Sequence, residues 1–248
     1  MLHPEIRVDF PNHQPVENGF RMRGAGMSRI DAFSDVVFGF ALTLLVVSLE
    51  VPKDFSGLHE VVRGFIPFTI CFITLLSLWY AHYVFFRRYG LHDHFTILLN
   101  SCLLFVVLFY VYPLKFLFTT LFGQIAQREA AVQFAISKQV TELMVLYGLG
   151  FAAVYFLLAA LYANAWHHRD SLALNGLERL LTVSAIVDAL GMAAIGLIAC
   201  LASLILPSAW SGFSGYLYFL IAPWKTLNGM YFGRKARTLR KLVAAPIL

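Results

Sequence analysis

Apolar positions dominate the chain from Ile30 onward and gather into six long runs. They lie at Ile30–Leu49, Val62–Phe86, Phe95–Phe122, Glu142–Trp166, Leu180–Leu206 and Phe213–Phe232. Each approaches or exceeds the about 20 residues that a helix needs to cross the roughly 30 Å hydrocarbon core of a bilayer. The stretches between them, Glu50–Glu60, Arg87–His94, Gly123–Gln139, His167–Arg179 and Pro207–Gly212, are short and polar. No run alternates strictly between apolar and polar residues, which excludes a transmembrane barrel. The pattern predicts an all-α polytopic membrane protein with six transmembrane helices. It divides the chain into an N-terminal segment (1–28), a membrane domain (29–232) and a basic tail (233–248).

Composition agrees. Of 248 residues, 59% are hydrophobic and 13% charged, where a soluble domain carries about a quarter charged. Cys71, Cys102 and Cys200 all fall inside apolar runs, so no disulfide framework is expected. The first 28 residues have no apolar core, so a cleavable signal peptide is not expected. With Pro4, Pro11 and Pro15 they read as loosely ordered. The net charge of +5 fits basic membrane edges better than a nucleic-acid partner.

Charge also predicts orientation. Six spans put both termini and the second and fourth loops on one side. That side holds thirteen Arg and Lys residues, among them Arg87, Arg88, Arg169, Arg179 and the tail from Arg234 to Lys241. The other side holds four, Lys53, Arg63, Arg128 and Lys138. The excess of positive residues marks the cytoplasmic side, so both termini are expected there.

The first run is chemically divided. Its opening turns carry Arg29, Asp31, Ser34 and Asp35, whereas Val36–Leu49 has no charge. At 100° per residue, Asp31, Asp35, Gly39, Leu42 and Val46 share one face, on which Gly39 would admit a close helix. Val36, Phe40, Thr43, Leu44 and Val47 share another, apolar except for one hydroxyl. Arg29 and Asp35 point away from each other, so each needs a partner on another helix or another subunit.

The residues Arg29-Ile30-Asp31-Ala32-Phe33-Ser34-Asp35 match an R-x-x-x-F-S-D signature, and Trp79-Tyr80-Ala81-His82, Asn100 and Pro113 follow in order. In these features the chain resembles the transmembrane protein 175 family of endosomal and lysosomal potassium channels and their prokaryotic relatives. One six-helix repeat looks like the prokaryotic form. The resemblance implies a homotetramer in the plasma membrane, with helix one of each copy lining a central potassium pore. It implies a hydrophobic gate at Phe40, Thr43, Leu44 and Val47, where the family usually carries Ile or Leu in place of Phe40. It further implies that Arg29, Phe33, Ser34, Asp35, Trp79, His82 and Asn100 form a structural network around the pore.

The residues themselves fit that picture. They contain no T-V-G-Y-G filter, and an apolar constriction can gate by dewetting. Thr43 can touch a potassium ion in passing or bond back to its own helix carbonyl. His82, inside an apolar run, is expected to bond Asp35 or Asn100. Asp188 and Lys225 are intramembrane charges that could pair, and they would equally suit a proton-coupled secondary transporter. No pair of broken helices in the two halves supports that alternative.

Enzymatic readings are weaker. Gly212-Phe213-Ser214-Gly215 resembles the nucleophile motif of rhomboid proteases, yet no histidine follows Ser214 to serve as base. His92-Asp93-His94 and His167-His168 lack metal-ligand spacing and read as loop residues. The expectation is a potassium-conducting channel with no enzymatic activity and no cofactor, whose partners are potassium ions, its own copies and the bilayer.

Overall fold

In the computed structural model the described residues are 15–17, 19–24, 26–47, 53–126, 138–207 and 211–244. After a short hairpin, β1 (Val16–Glu17) and β2 (Phe20–Arg21), they run through seven α-helices. These are α1 (Arg29–Val47), α2 (Phe55–Arg63), α3 (Phe65–Tyr89), α4 (His94–Ala126), α5 (Lys138–His167), α6 (Gly176–Ile205) and α7 (Ile221–Ala244). A 3-10 segment, Ser211–Leu220, leads into α7. The two-residue strands are an exception to the all-helical expectation, although the membrane part is wholly helical.

Five helices, α1, α3, α4, α5 and α6, are long and apolar enough to cross a membrane. The sixth predicted span differs. Its first half is wound as the 3-10 segment, and α7 carries Lys225, Arg234, Lys235, Arg237 and Arg240. Neither half alone is a continuous apolar helix of spanning length. The basic residues of the tail up to Ala244 continue this last helix without a break.

Packing follows from side-chain size. The most extensive interface is α5 on α6, with α4 on the other flank of α5 and α7 on α6. Gly148 and Gly196 make the first contact possible, because a Cβ at Gly148 would lie 2.9 Å from the Gly196 carbonyl oxygen. Helix α1 packs on α3 and α4 through Ser34, Phe38, Ala41 and Leu45, a stripe with i, i+4, i+7, i+11 spacing. Around it, Leu75, Leu78, Phe85, Leu103 and Val107 are buried into one apolar core. Helix α4 continues through Pro113 to Ala126, although proline removes one ladder hydrogen bond.

Candidate functional site: the uncovered face of the first helix

Two capping residues position the helices that meet here. Ser28 Oγ accepts from the Asp31 amide at 3.2 Å, and Asp31 Oδ2 accepts from the Ser28 amide at 3.1 Å. This reciprocal cap satisfies two amides that the first turn of α1 would otherwise leave unpaired. Asp31 is thus committed to its own helix. Asp93 does similar work for α4, accepting from the Thr96 amide at 3.1 Å and from Thr96 Oγ1 at 2.5 Å. Asn164 of α5 donates to both Asp93 and Thr96, which ties the two helix ends together.

Inside this frame lies a buried polar chain linking three helices. Ser34 Oγ donates to the Ile30 carbonyl at 2.8 Å and accepts from Asn100 Nδ2 at 2.9 Å. Asn100 Oδ1 lies 2.7 Å from His82 Nε2, so the imidazole carries a proton on that nitrogen. Ser34, His82 and Asn100 are all essentially inaccessible. The His82 ring packs against Phe38 and Phe86, at 5.5 and 4.6 Å between ring centres. A satisfied polar chain of this kind fixes the relative position of α1, α3 and α4, because each buried group costs about 1–3 kcal/mol if left unpaired.

Asp35 stands apart from that chain. It is exposed and accepts from Trp79 Nε1 at 2.8 Å. Of the two acceptors considered for His82, Asn100 is the one that it meets. Arg29 and Phe33 are exposed, and Arg29 has no hydrogen-bond or ion-pair partner among the described residues. The seven predicted network residues therefore divide into a buried triad (Ser34, His82, Asn100), a surface pair (Asp35, Trp79) and two uncovered side chains (Arg29, Phe33).

The described residues leave the predicted pore stripe largely open, as they do Phe33, Asp35, Gly39 and Val46 on the same helix. Phe40 is 55% exposed and Val47 71% exposed. Val36 and Thr43 are also exposed, and Leu44 is half-buried at the edge. Thr43 Oγ1 donates to the Gly39 carbonyl at 2.9 Å, so its proton is committed to its own helix. The oxygen's lone pairs stay available on the exposed side. Gly39 has no other helix against it, since a Cβ there would meet nothing within 4 Å. The close approach expected at Gly39 does not occur within the chain.

The residues that pack α1 were missed from sequence. Phe38, Ala41 and Leu45 form a third stripe on a helix that is apolar nearly all round, and apolarity alone does not say which side faces protein.

The remaining candidates separate from this site. Asp188 Oδ2 and Lys225 Nζ form an ion pair at 2.5 Å between α6 and α7. Ser214 is buried and accepts from Ser203 Oγ at 2.6 Å. No group of three or more metal-ligating side chains occurs among the described residues. His92, His94 and His167 are exposed.

Residues 29–110, which hold the triad and the stripe, match the family model of the endosomal/lysosomal potassium channel TMEM175. A protein of Marivirga tractuosa named a potassium channel is 40% identical over 232 residues, covering 89% of this chain and 93% of that protein. The chain belongs to the TMEM175 family. Its backbone matches a crystal structure of the potassium channel MtTMEM175, in a variant bound to a nanobody–MBP fusion protein. That match has a TM-score of 0.76 at 37% identity, over 88% of this chain and 99% of the other. A homologue of the lysosomal potassium-selective channel TMEM175 from Chamaesiphon minutus shares the fold. Its TM-score is 0.53 at 23% identity, over 84% of this chain and 96% of that chain. With five helices of spanning length and apolarity, this TMEM175 member is a multi-pass membrane protein.

Proposed function

We propose that the protein is a homotetrameric potassium-conducting channel, in which α1 of each copy lines a pore on the four-fold axis. One observation carries the reading. The stripe Val36, Phe40, Thr43 and Val47 lies uncovered on the helix whose opposite side is anchored by the buried Ser34–Asn100–His82 chain. A helix locked on one side and bare on the other, in a member of a potassium-channel family, is suited to face an axis.

The constriction is apolar. Four Phe40 rings would narrow it, with Leu44 and Val47 beyond, and a passage lined this way closes by losing its water. Thr43 supplies the one hydroxyl oxygen. Because its proton is held by the Gly39 carbonyl, the oxygen acts as an acceptor toward a passing potassium ion. The network residues Arg29, Phe33, Ser34, Asp35, Trp79, His82 and Asn100 hold α1 in place and do not carry ions. Arg29 and Phe33, uncovered in the single chain, fit contacts with neighbouring copies.

The 3-10 segment and the apolar start of α7 together form the sixth crossing. Ten residues at about 2.0 Å and twelve at about 1.5 Å exceed the roughly 30 Å hydrocarbon core. Both termini then lie in the cytoplasm, with the arginine-rich end of α7, and the channel belongs in the plasma membrane of a prokaryotic cell. In the rival reading of a proton-coupled carrier, Asp188 and Lys225 would move protons. Their pairing favours mutual neutralisation, and they lie on α6 and α7, which do not carry the stripe.

Recording purified protein in a planar bilayer under bi-ionic potassium and sodium conditions tests the reading. Potassium current that reverses at its own equilibrium potential without a proton gradient is expected. Current that strictly requires a proton gradient would sink the channel and favour the carrier.

A further inference from the structure

The stretch just before α1, expected to be loosely ordered, is held by buried and hydrogen-bonded contacts from Phe20 to Gly24. Phe20 is fully buried, edge-on to Tyr89 at 5.5 Å between ring centres, with the Arg88 guanidinium 5.1 Å above its ring. The backbone that follows caps the end of α3. The Arg23 amide donates to the Arg88 carbonyl at 3.3 Å and the Gly24 amide to the Arg87 carbonyl at 3.1 Å. These carbonyls belong to the last turn, which has no partners of its own within the helix. Glycine is required at 24, since a Cβ would lie 2.3 Å from the Phe86 carbonyl oxygen.

The anchor of this strap is Glu178, in the first turn of α6 and 0% exposed. Its Oε1 accepts from the Arg21 amide at 2.9 Å, from Arg21 Nε at 3.1 Å and from Arg23 Nη1 at 3.3 Å. Its Oε2 accepts from Arg21 Nη2 at 3.0 Å, Arg23 Nη2 at 2.8 Å and the Asn175 amide at 2.9 Å. Both oxygens are saturated, so the carboxylate and the strap hold each other. Buried charge pairs of this kind specify geometry, and removing one partner is strongly destabilising to the contact.

From Arg23 the chain reaches Ser28, the cap of α1, in five residues, a span of at most about 18 Å. The strap therefore ties the Arg29 end of α1 to α6, an element of the other half of the bundle, whereas α1 itself packs on α3 and α4. We propose that Glu178 is a positioning residue for the pore helix, acting through Arg21 and Arg23 to hold the strap that sets where α1 begins. The proposal rests on α1 lining the pore. It predicts that the conducting state is controlled in part from α6, where Glu178 lies 131 to 142 residues away in sequence from the stripe.

Two readouts on the full-length protein separate the claims. A nitroxide pair at Met27 and His94, in labelled subunits diluted with unlabelled ones, reports the Arg29 end of α1 relative to α4 without any need for conduction. Glu178→Gln is expected to shift or broaden that distance distribution and to change potassium flux from liposomes at least threefold. Arg23→Lys, which keeps the charge, should restore most of the wild-type behaviour that Arg23→Gln loses. An unchanged distance distribution in Glu178→Gln overturns the anchoring. A changed distribution with unchanged flux overturns the control of conduction and leaves Glu178 a structural residue. If Glu178→Gln fails to fold, Gly24→Ala displaces the strap with the ion cluster intact, and the same outcomes apply. Wild-type protein that passes no potassium would refute the channel reading alone, since the distance measurement stands without it.

Discussion

Phe40 and Asn100 each carry a separable effect at the scale of one side chain. Phe40 is the largest side chain on the open stripe, so in the proposed pore truncating it would widen the constriction and make wetting easier. Phe40→Ala should raise basal potassium flux several-fold in a liposome efflux assay, with the fold and assembly intact. A flux equal to wild type would remove Phe40 from the gate. Asn100 is satisfied on both sides by Ser34 and His82. Asn100→Leu leaves the His82 N–H without an acceptor and should cost about 1–3 kcal/mol, read as a lower thermal unfolding midpoint in detergent. The types of these residues and their order could be read from the sequence. That Asn100, rather than Asp35, takes His82 could not, because which acceptor meets the ring depends on how α1, α3 and α4 pack.

At the scale of elements, helix ends decide more than helix middles. Partial desolvation pushes the Asp93 carboxyl up, but hydrogen bonds from the Thr96 hydroxyl and amide and from Asn164 outweigh it and hold its pKa below the ordinary value. A group depressed in the folded state stabilises above its unfolded pKa and loses that contribution as pH falls through the folded one. In unfolding melts scanned downward from pH 6, the wild type should therefore lose stability below about pH 4. Asp93→Asn keeps a capping oxygen and should flatten that acid limb. Asp93→Ala should lower stability at neutral pH by about 1 kcal/mol, the usual worth of an N-cap. A melt in which both variants track the wild type at every pH would discount the cap. In sequence His92-Asp93-His94 reads as loop, and only the turn into α4 shows Asp93 to be a cap. Likewise, the sixth apolar run reads as one helix from hydropathy. Hydropathy carries no information on winding, so the 3-10 start and the basic continuation of α7 had to come from the fold.

For the whole molecule, the central prediction is assembly. Among the described residues, Val36, Phe40 and Val47 stay bare while Phe38, Ala41 and Leu45 are buried, and in the proposed tetramer the other three copies supply what faces the bare side. Cross-linking in native membranes or mild detergent should saturate at four subunits, and a ladder ending at two would remove the four-fold pore. The resemblance implies that one stripe of α1 faces a pore, whereas sequence alone determined that the chain crosses a membrane, where most of the crossings lie and which residues of α1 share an apolar stripe. Those properties are written in local composition and in 100° periodicity, which need no partner to be read. Tertiary structure decided which face of α1 packs, how Ser34, His82 and Asn100 divide from Asp35 and Trp79, and that Glu178 grips the strap through Arg21 and Arg23. These contacts join residues up to 157 positions apart. They depend on which helices lie side by side, and no local pattern encodes that when nearly every face is apolar.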